Sequence, residues 1–295
     1  MSQRASDSWA KTPEVPAEPA GVDVLITTCD RPAELAVTLA GLAAQREPPF
    51  RVVISDQSER QPAWEHPAPA AMMRVLQAQG REVVALRHLP RRGLAEHRDF
   101  LLERARTGHC LFLDDDIWLE PGALQRMDRA LLELGCGFVG MAPQGLSFLQ
   151  DRRPQELVTF ERWNGAVTPE RIRPETAGFE RWQLHNAANL SHLAADLELR
   201  PDEWIPYRVA WLGGCVLYDR QKLEDVGGFS FWHLLPPEHC GEDVVAEWRV
   251  MEKFGGAGIL PSGAVHLESP TTVTDRRVEA YTVVLQEDAG REPGY

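Results

Sequence analysis

The sequence has no apolar run near the roughly 18–20 residues that a membrane-spanning helix needs, which predicts a soluble protein. It has no basic block, and its net charge is −13, which argues against a general nucleic-acid-binding surface. A negatively charged substrate such as a nucleotide would therefore need a local cation, either metal or arginine. Five cysteines (Cys29, Cys110, Cys136, Cys215, Cys240) form no CxxC pair and no metal-like spacing. An odd, scattered set predicts reduced thiols and a cytoplasmic protein. Residues 1–20, with Pro13, Pro16 and Pro19, lack the apolar core of a signal peptide and read as a flexible leader.

What is present is ordinary in bulk. The 295 residues are 43% apolar and 25% charged, enough for a full core in one large domain or a domain with a long insertion. The stretch that organises the chain is Leu111-Phe112-Leu113-Asp114-Asp115-Asp116. A short apolar run ending in polar residues reads as a buried strand of a parallel sheet. In open α/β sheets ligands gather outside the carboxyl ends of the strands. Three adjacent carboxylates repel one another, and a divalent cation bridging phosphates is one way to offset that repulsion. The bland alternative is a solvated acidic turn capping a helix.

Before that stretch, Val22–Thr28 reads as a first strand, followed by a helix opening at Pro32 with Leu35, Leu39 and Leu42 on one face. A second strand, 50–55, ends in Asp56-Gln57-Ser58, and a short helix follows near 70–79. A third strand, 82–89, leads through Arg91-Arg92-Gly93 into a helix carrying Leu94, Arg98, Leu101 and Leu102. After the acidic strand come a helix to about Leu134 and a fifth strand at 137–141. Strands alternating with helices of these lengths call for a parallel sheet with right-handed crossovers. Asp30, Asp56 and the acidic triplet then face one sheet edge.

From Gln144 to Arg208 the periodicity breaks down, and the only helical signal lies around 184–197. So long a stretch inside an α/β protein reads as a functional insertion. Its Trp163, Trp182 and Trp204 are candidates to line a sugar or aglycone pocket, or simply pack the insertion down. Regularity returns in a strand-like run over 210–218, where Gly213-Gly214 suggests close backbone approach. Gly241-Glu242-Asp243 opens a helix with Val244, Val245, Trp248 and Met251 on its apolar face. A closing strand is expected over 259–266, and the tail from Val273 reads as partly helical at best.

Four features in order resemble the family-2 glycosyltransferases: Thr27-Thr28-Cys29-Asp30-Arg31-Pro32, Ser55-Asp56-Gln57-Ser58, Leu113-Asp114-Asp115-Asp116 and Gly241-Glu242-Asp243. The resemblance covers roughly residues 22–268. It implies an α/β, GT-A (Rossmann-like) fold with a mixed, mainly parallel sheet flanked by helices. Its organisation would be a nucleotide-sugar-binding half (21–143), the Trp-bearing insertion (144–208), an acceptor-binding and catalytic half (209–270) and a tail (271–295). It also implies an inverting transfer from a nucleotide sugar, with UDP the expected carrier, to an acceptor that is a glycan, lipid-linked sugar, natural product or protein.

By the same resemblance Thr28, Asp30, Arg31, Asp56, Arg98, Asp114 and Asp115 contact the donor, and Asp116 holds Mn²⁺ or Mg²⁺. His266 stands where related enzymes supply a further metal ligand. Alternation along an extended chain would put Asp114 and Asp116 on one side and Asp115 on the other. Asp243 takes the place of the catalytic base, with Glu242 orienting base or acceptor. Trp211, Gly213 and Gly214 are acceptor-side candidates, and His233, Glu238 and His239 sit on a loop over 231–240 that would act as a lid. Where the family usually has Asn, this chain has Asp99.

Other readings compete. A phosphatase of the haloacid-dehalogenase type carries Asp-x-Asp after its first strand, not its fourth, and its motif continues with Thr or Val where Trp118 stands. A sugar nucleotidyltransferase would carry a Gly-rich signature after the first strand, and 27–32 has no glycine. A non-catalytic, glycosyltransferase-like carbohydrate-binding module is the third alternative.

Overall fold

The structure, a computed structural model, describes residues 20–200 and 202–290, with the backbone alone for 287–290. Residues 1–19 of the expected leader and the last five of the tail lie outside the described residues. The chain begins β1 (Val22–Thr28), α1 (Pro32–Ala43), β2 (Phe50–Asp56), α2 (Pro67–Ala78), β3 (Val83–Arg87), α3 (Leu94–Leu102) and β4 (His109–Leu113). It continues through β5 (Ile117–Leu119), α4 (Ala123–Leu134), β6 (Phe138–Gly140) and β7 (Gln144–Gly145). After the insertion's α5 (Asn189–Asp196) come β8 (Ile205–Tyr207), β9 (Cys215–Asp219), α6 (Arg220–Glu224) and α7 (Glu242–Phe254). The last elements are β10 (Gly256–Leu260), β11 (Ala264–His266) and α8 (Ala280–Gly290).

An eight-stranded sheet runs β3-β2-β1-β4-β9-β6-β10-β8. The first four strands are parallel, β9 is antiparallel to both β4 and β6, and β8 is antiparallel to β10. Period-two alternation sends Val24 and Ile26 of β1 to one face and Leu25 to the other. On the first face they meet Leu35 and Leu39 of α1 and Leu124, Met127 and Leu131 of α4. Spacings of three and four put these α4 residues on a single stripe, and each such side chain buried contributes roughly 1.5–3 kcal/mol. Leu25 and Phe112 face Leu101 of α3 and Val245, Trp248 and Met251 of α7.

Three expectations need correction. No strand was expected at Ile117–Leu119, yet β5 pairs with β11 and β11 with β7 in a second, three-stranded sheet. The expected closing strand is therefore two strands in two sheets. The strand-like run over 210–218 becomes regular only at Cys215, because Gly214 takes a left-handed φ of 70° that breaks the extended backbone. The tail is partly helical, as expected, with α8 over Ala280–Gly290.

Candidate active site

The carboxyl ends of β1 and β4 open onto a cavity of about 590 Å³. Thr28, Arg31, Arg98, His266 and all three aspartates line it. Asp115 and Asp116 form the turn between β4 and β5, so the alternation expected of an extended chain does not hold. Instead one arginine holds two of the acids. Arg31 donates from Nη1 to Asp115 Oδ1 at 2.8 Å and from Nη2 to Asp116 Oδ2 at 3.0 Å. Thr28 Oγ1 donates to the other oxygen of Asp115 at 2.6 Å, and Thr38 Oγ1 to its carbonyl at 2.7 Å. Burial pushes the Asp115 carboxyl up to about 7, against the pull of Thr28 and Arg31. Burial and the Asp114 charge likewise raise Asp116.

Asp114 turns the other way. Its Oδ1 accepts from Arg98 Nη2 at 3.0 Å, while Arg98 Nε donates to Glu242 Oε1 at 2.9 Å. Burial works against the Arg98 charge, but Asp114, Glu242 and Asp243 more than offset this and raise its pKa. Arg98 thus joins the acidic strand end to the first turn of α7. There a second cavity of about 320 Å³ is lined by Trp211, Glu242, Asp243 and Glu279. Leu94, Arg98 and Asp114 border both cavities. Burial, then the charges of Glu242 and Asp114, push the Asp243 carboxyl up to about 7, with Arg98 acting in the opposite sense.

The paired glycines stand between these groups. A Cβ on Gly214 would sit 2.9 Å from Asp114 Oδ2, and one on Gly213 3.6 Å from Asp243 Oδ2. The Gly214 carbonyl also accepts from Asp114 N at 2.8 Å. Neither glycine lines a cavity; the pair lets the backbone approach both acids.

Two donor-side residues serve differently from expectation. Asp56 is fully buried, and its carboxylate accepts from Ser58 N at 2.5 Å and from Ala63 N, organising the loop after β2 rather than facing the cavity. Its neighbour Gln57 lines the cavity. Asp30 lies at the rim, not among the lining residues, paired at 3.0 Å with Arg91, which does line the cavity. Asp99 accepts from Trp232 Nε1 at 3.1 Å, outside both cavities.

The loop expected to act as a lid packs against the start of α3. His239 is almost fully buried, its Nε2 accepting from Ala95 N at 3.1 Å and its Nδ1 donating to Pro236 O at 2.7 Å. Gly93, at φ 101°, leaves the space that the imidazole fills. Pro237, Glu238 and His239 line the larger cavity from this loop.

Of the expected metal ligands, Asp116 fits: a carboxylate at the cavity wall, 3.5 Å from His266 Nε2. Magnesium-type sites commonly take one or two carboxylates and complete their shell with phosphate oxygens and water. His266 does not fit as it stands. Its Nδ1 accepts from Glu268 N at 2.8 Å, which puts the ring proton on Nε2 and points an N–H, not a lone pair, at Asp116. No group of three or more metal-ligating side chains occurs among the described residues.

Trp163, Trp182 and Trp204 line neither cavity; Trp163 lies beneath the Arg208 guanidinium, 3.7 Å from ring centroid to carbon. The insertion's contribution is Phe179, which had no signal in the sequence. Arg276 of the tail, also unforeseen, lines both cavities.

Comparison with known proteins follows the same lines. No curated protein matches the sequence. Among solved structures, the mannosyltransferase PcManGT from Pyrobaculum calidifontis, in complex with GDP-Man and Mn²⁺, is similar at 16% identity and a TM-score of 0.55, over 98% of this chain and 70% of that one. S. aureus TarS 1-349 in complex with UDP-GlcNAc is similar at 15% identity and a TM-score of 0.52, over 85% of this chain and 60% of that one. The chain thus spans about three-fifths of that TarS fragment. At these identities the likeness establishes the fold, a GT-A-like mixed sheet flanked by helices. The profile of glycosyl transferase family 2 matches residues 23–227, more than half of the sequence. The chain belongs to glycosyl transferase family 2.

Proposed function

We propose that this protein is an inverting glycosyltransferase that moves a sugar from a nucleoside-diphosphate donor to an acceptor hydroxyl. The observation that carries this reading is the meeting of two cavities at Asp114 and Arg98, one holding the acidic triplet and the other Asp243. The diphosphate would lie in the larger cavity, with the sugar's anomeric carbon toward the junction. Asp243 takes the proton of the acceptor hydroxyl as that oxygen bonds to the anomeric carbon. The bond from carbon to the diphosphate breaks on the opposite side, inverting the configuration, and the nucleoside diphosphate leaves.

Arg98 orients Glu242 beside the base through the 2.9 Å contact. A divalent cation, Mn²⁺ or Mg²⁺, held by Asp116, would supply positive charge to the diphosphate. The Arg31 guanidinium is already aimed at the same carboxylates. UDP is the expected carrier. The GDP-Man held by PcManGT makes GDP its competitor.

Calorimetric titration of UDP, GDP and dTDP, with and without Mn²⁺, tests this reading on the native chain and on Asp116→Ala. Metal-dependent binding of one nucleotide, lost in the variant, is the expected result. Binding of none would overturn the reading and return the non-catalytic module to the front.

A further inference from the structure

The smaller cavity has a wall assembled from three distant parts of the chain. Trp248 of α7 is buried at 1% exposure, with its Nε1 donating to Ala210 O at 2.9 Å. Three further rings pack on it: Phe179 of the insertion, Trp211 of the loop before β9, and Tyr281 of α8, at centroid distances of 6.3, 6.5 and 5.3 Å. These three rings are only partly buried, and each lines the cavity. Phe179 and Trp211 also meet one another at 5.5 Å, inclined by 47°.

Carboxylates share the cavity with these rings. Asp243 and Glu242 enter from the start of α7, and Glu279 from the tail. Glu279 is fixed by the backbone on either side of it, because Cys240 N donates to Val278 O at 3.0 Å and Ala280 N to Cys240 O at 2.8 Å. With Asp114, four carboxylates border the cavity against two guanidinium groups, Arg98 and Arg276, and Arg98 is already paired.

Three acceptor classes make different demands on such a wall. A flat aromatic aglycone is best held between parallel ring faces, which a 47° inclination does not offer. An anionic acceptor meets an excess of carboxylates. An uncharged saccharide has an apolar C–H face to lie on an aromatic ring and hydroxyl donors for carboxylate oxygens. We propose that the acceptor is an uncharged saccharide whose ring face lies on Phe179 and Trp211 while one of its hydroxyls reaches Asp243. The insertion over 144–208 thereby takes part in acceptor selection through a single side chain, Phe179. This rests on the transferase reading above.

The test uses the native chain saturated with the nucleotide that binds it and Mn²⁺. Methyl hexopyranosides, the matching hexose 6-phosphates and simple phenols are titrated in, read by calorimetry and by tryptophan fluorescence. A methyl hexopyranoside is expected to bind most tightly. Phe179→Ala should weaken it about tenfold, the scale of one lost ring contact, while Phe179→Tyr restores it. The nucleotide Kd should stay within about twofold in both variants, since no Phe179 atom reaches the donor cavity.

Tighter binding of a sugar phosphate or a phenol would overturn the proposal. So would unchanged saccharide affinity in a folded Phe179→Ala, or no binding of any of the three classes to the nucleotide-loaded protein. The nucleotide titration reports on the transferase reading separately, because it needs neither Phe179 nor an acceptor.

Discussion

Two arginines divide the acidic strand end, and they do so in different surroundings. Arg31 holds Asp115 and Asp116 from the donor cavity, with 12% of its side chain exposed. Arg98 holds Asp114 and Glu242 with only 6% exposed. On the donor side Asp115 is pushed up to about 7, so removal of its cation leaves a group able to take a proton. On the acceptor side Arg98 lies between Asp114 and Glu242, with Asp243 nearby, and all three acids raise its pKa. The lesson is that one arginine pairs with two carboxylates of a single turn, whereas the other ties the acidic strand end to the first turn of α7.

The largest effect should come where the acceptor-side network ends. Asp243→Asn should cut transfer by about 10²–10⁴-fold and leave nucleotide affinity in place, measured by initial rates and calorimetry. The base acts only when ionised, so its raised pKa moves the acid limb of the native rate profile upward. The rate should rise through about pH 7 and fall about tenfold per unit below it.

Next come the arginines themselves. Arg98→Ala leaves Glu242 buried without its partner and should cost about 3–5 kcal/mol in denaturant unfolding. Arg31→Ala should cost less than that, since Asp115, pushed up to about 7, can take a proton in place of the lost cation. Equal losses would break the comparison.

The smallest effect sharpens it. Glu247, one helical turn after Asp243, is fully buried and has no arginine; burial, then the Asp243 charge, raises its pKa well above the ordinary value. Burial therefore favours its neutral form, and its Oε2 accepts from Leu212 N at 2.7 Å. Glu247→Gln keeps that acceptor and should change stability by less than about 1 kcal/mol, whereas Glu247→Ala strands the Leu212 N–H and should cost about 1–3 kcal/mol. A large loss in the Gln variant would show that Glu247 is ionised.

These contrasts also mark what the sequence could convey. The apolar run of Val22–Thr28, the leucine spacing after Pro32 and the Leu113-Asp114 junction are local patterns, and β1, α1 and β4 follow them closely. The phosphatase and nucleotidyltransferase readings fall with family membership. Asp56 was legible as a polar strand end, but its use by two backbone N–H groups depends on the loop that returns at Ala63. His266 was legible as a residue type, while the nitrogen it presents is decided by Glu268 N. The insertion is mostly irregular, with short 3₁₀ turns such as Ala177–His185 whose tight repeat leaves no amphipathic signature. Phe179 gains its place only by meeting Trp211 and Trp248, 32 and 69 positions further on.

The segment between β11 and α8 carries one more implication. It is moored near the acidic turn, where Leu267 N donates to Asp116 O at 2.9 Å and Arg31 to Pro270 O at 2.9 Å, and again at Cys240. Between the moorings Thr271, Val273 and Arg276 form a party wall, one face toward the donor chamber and the other toward the acceptor chamber. The two chambers therefore cannot change independently: a shift of that wall that widens one narrows the other, through a stretch of chain that carries none of the family's motifs.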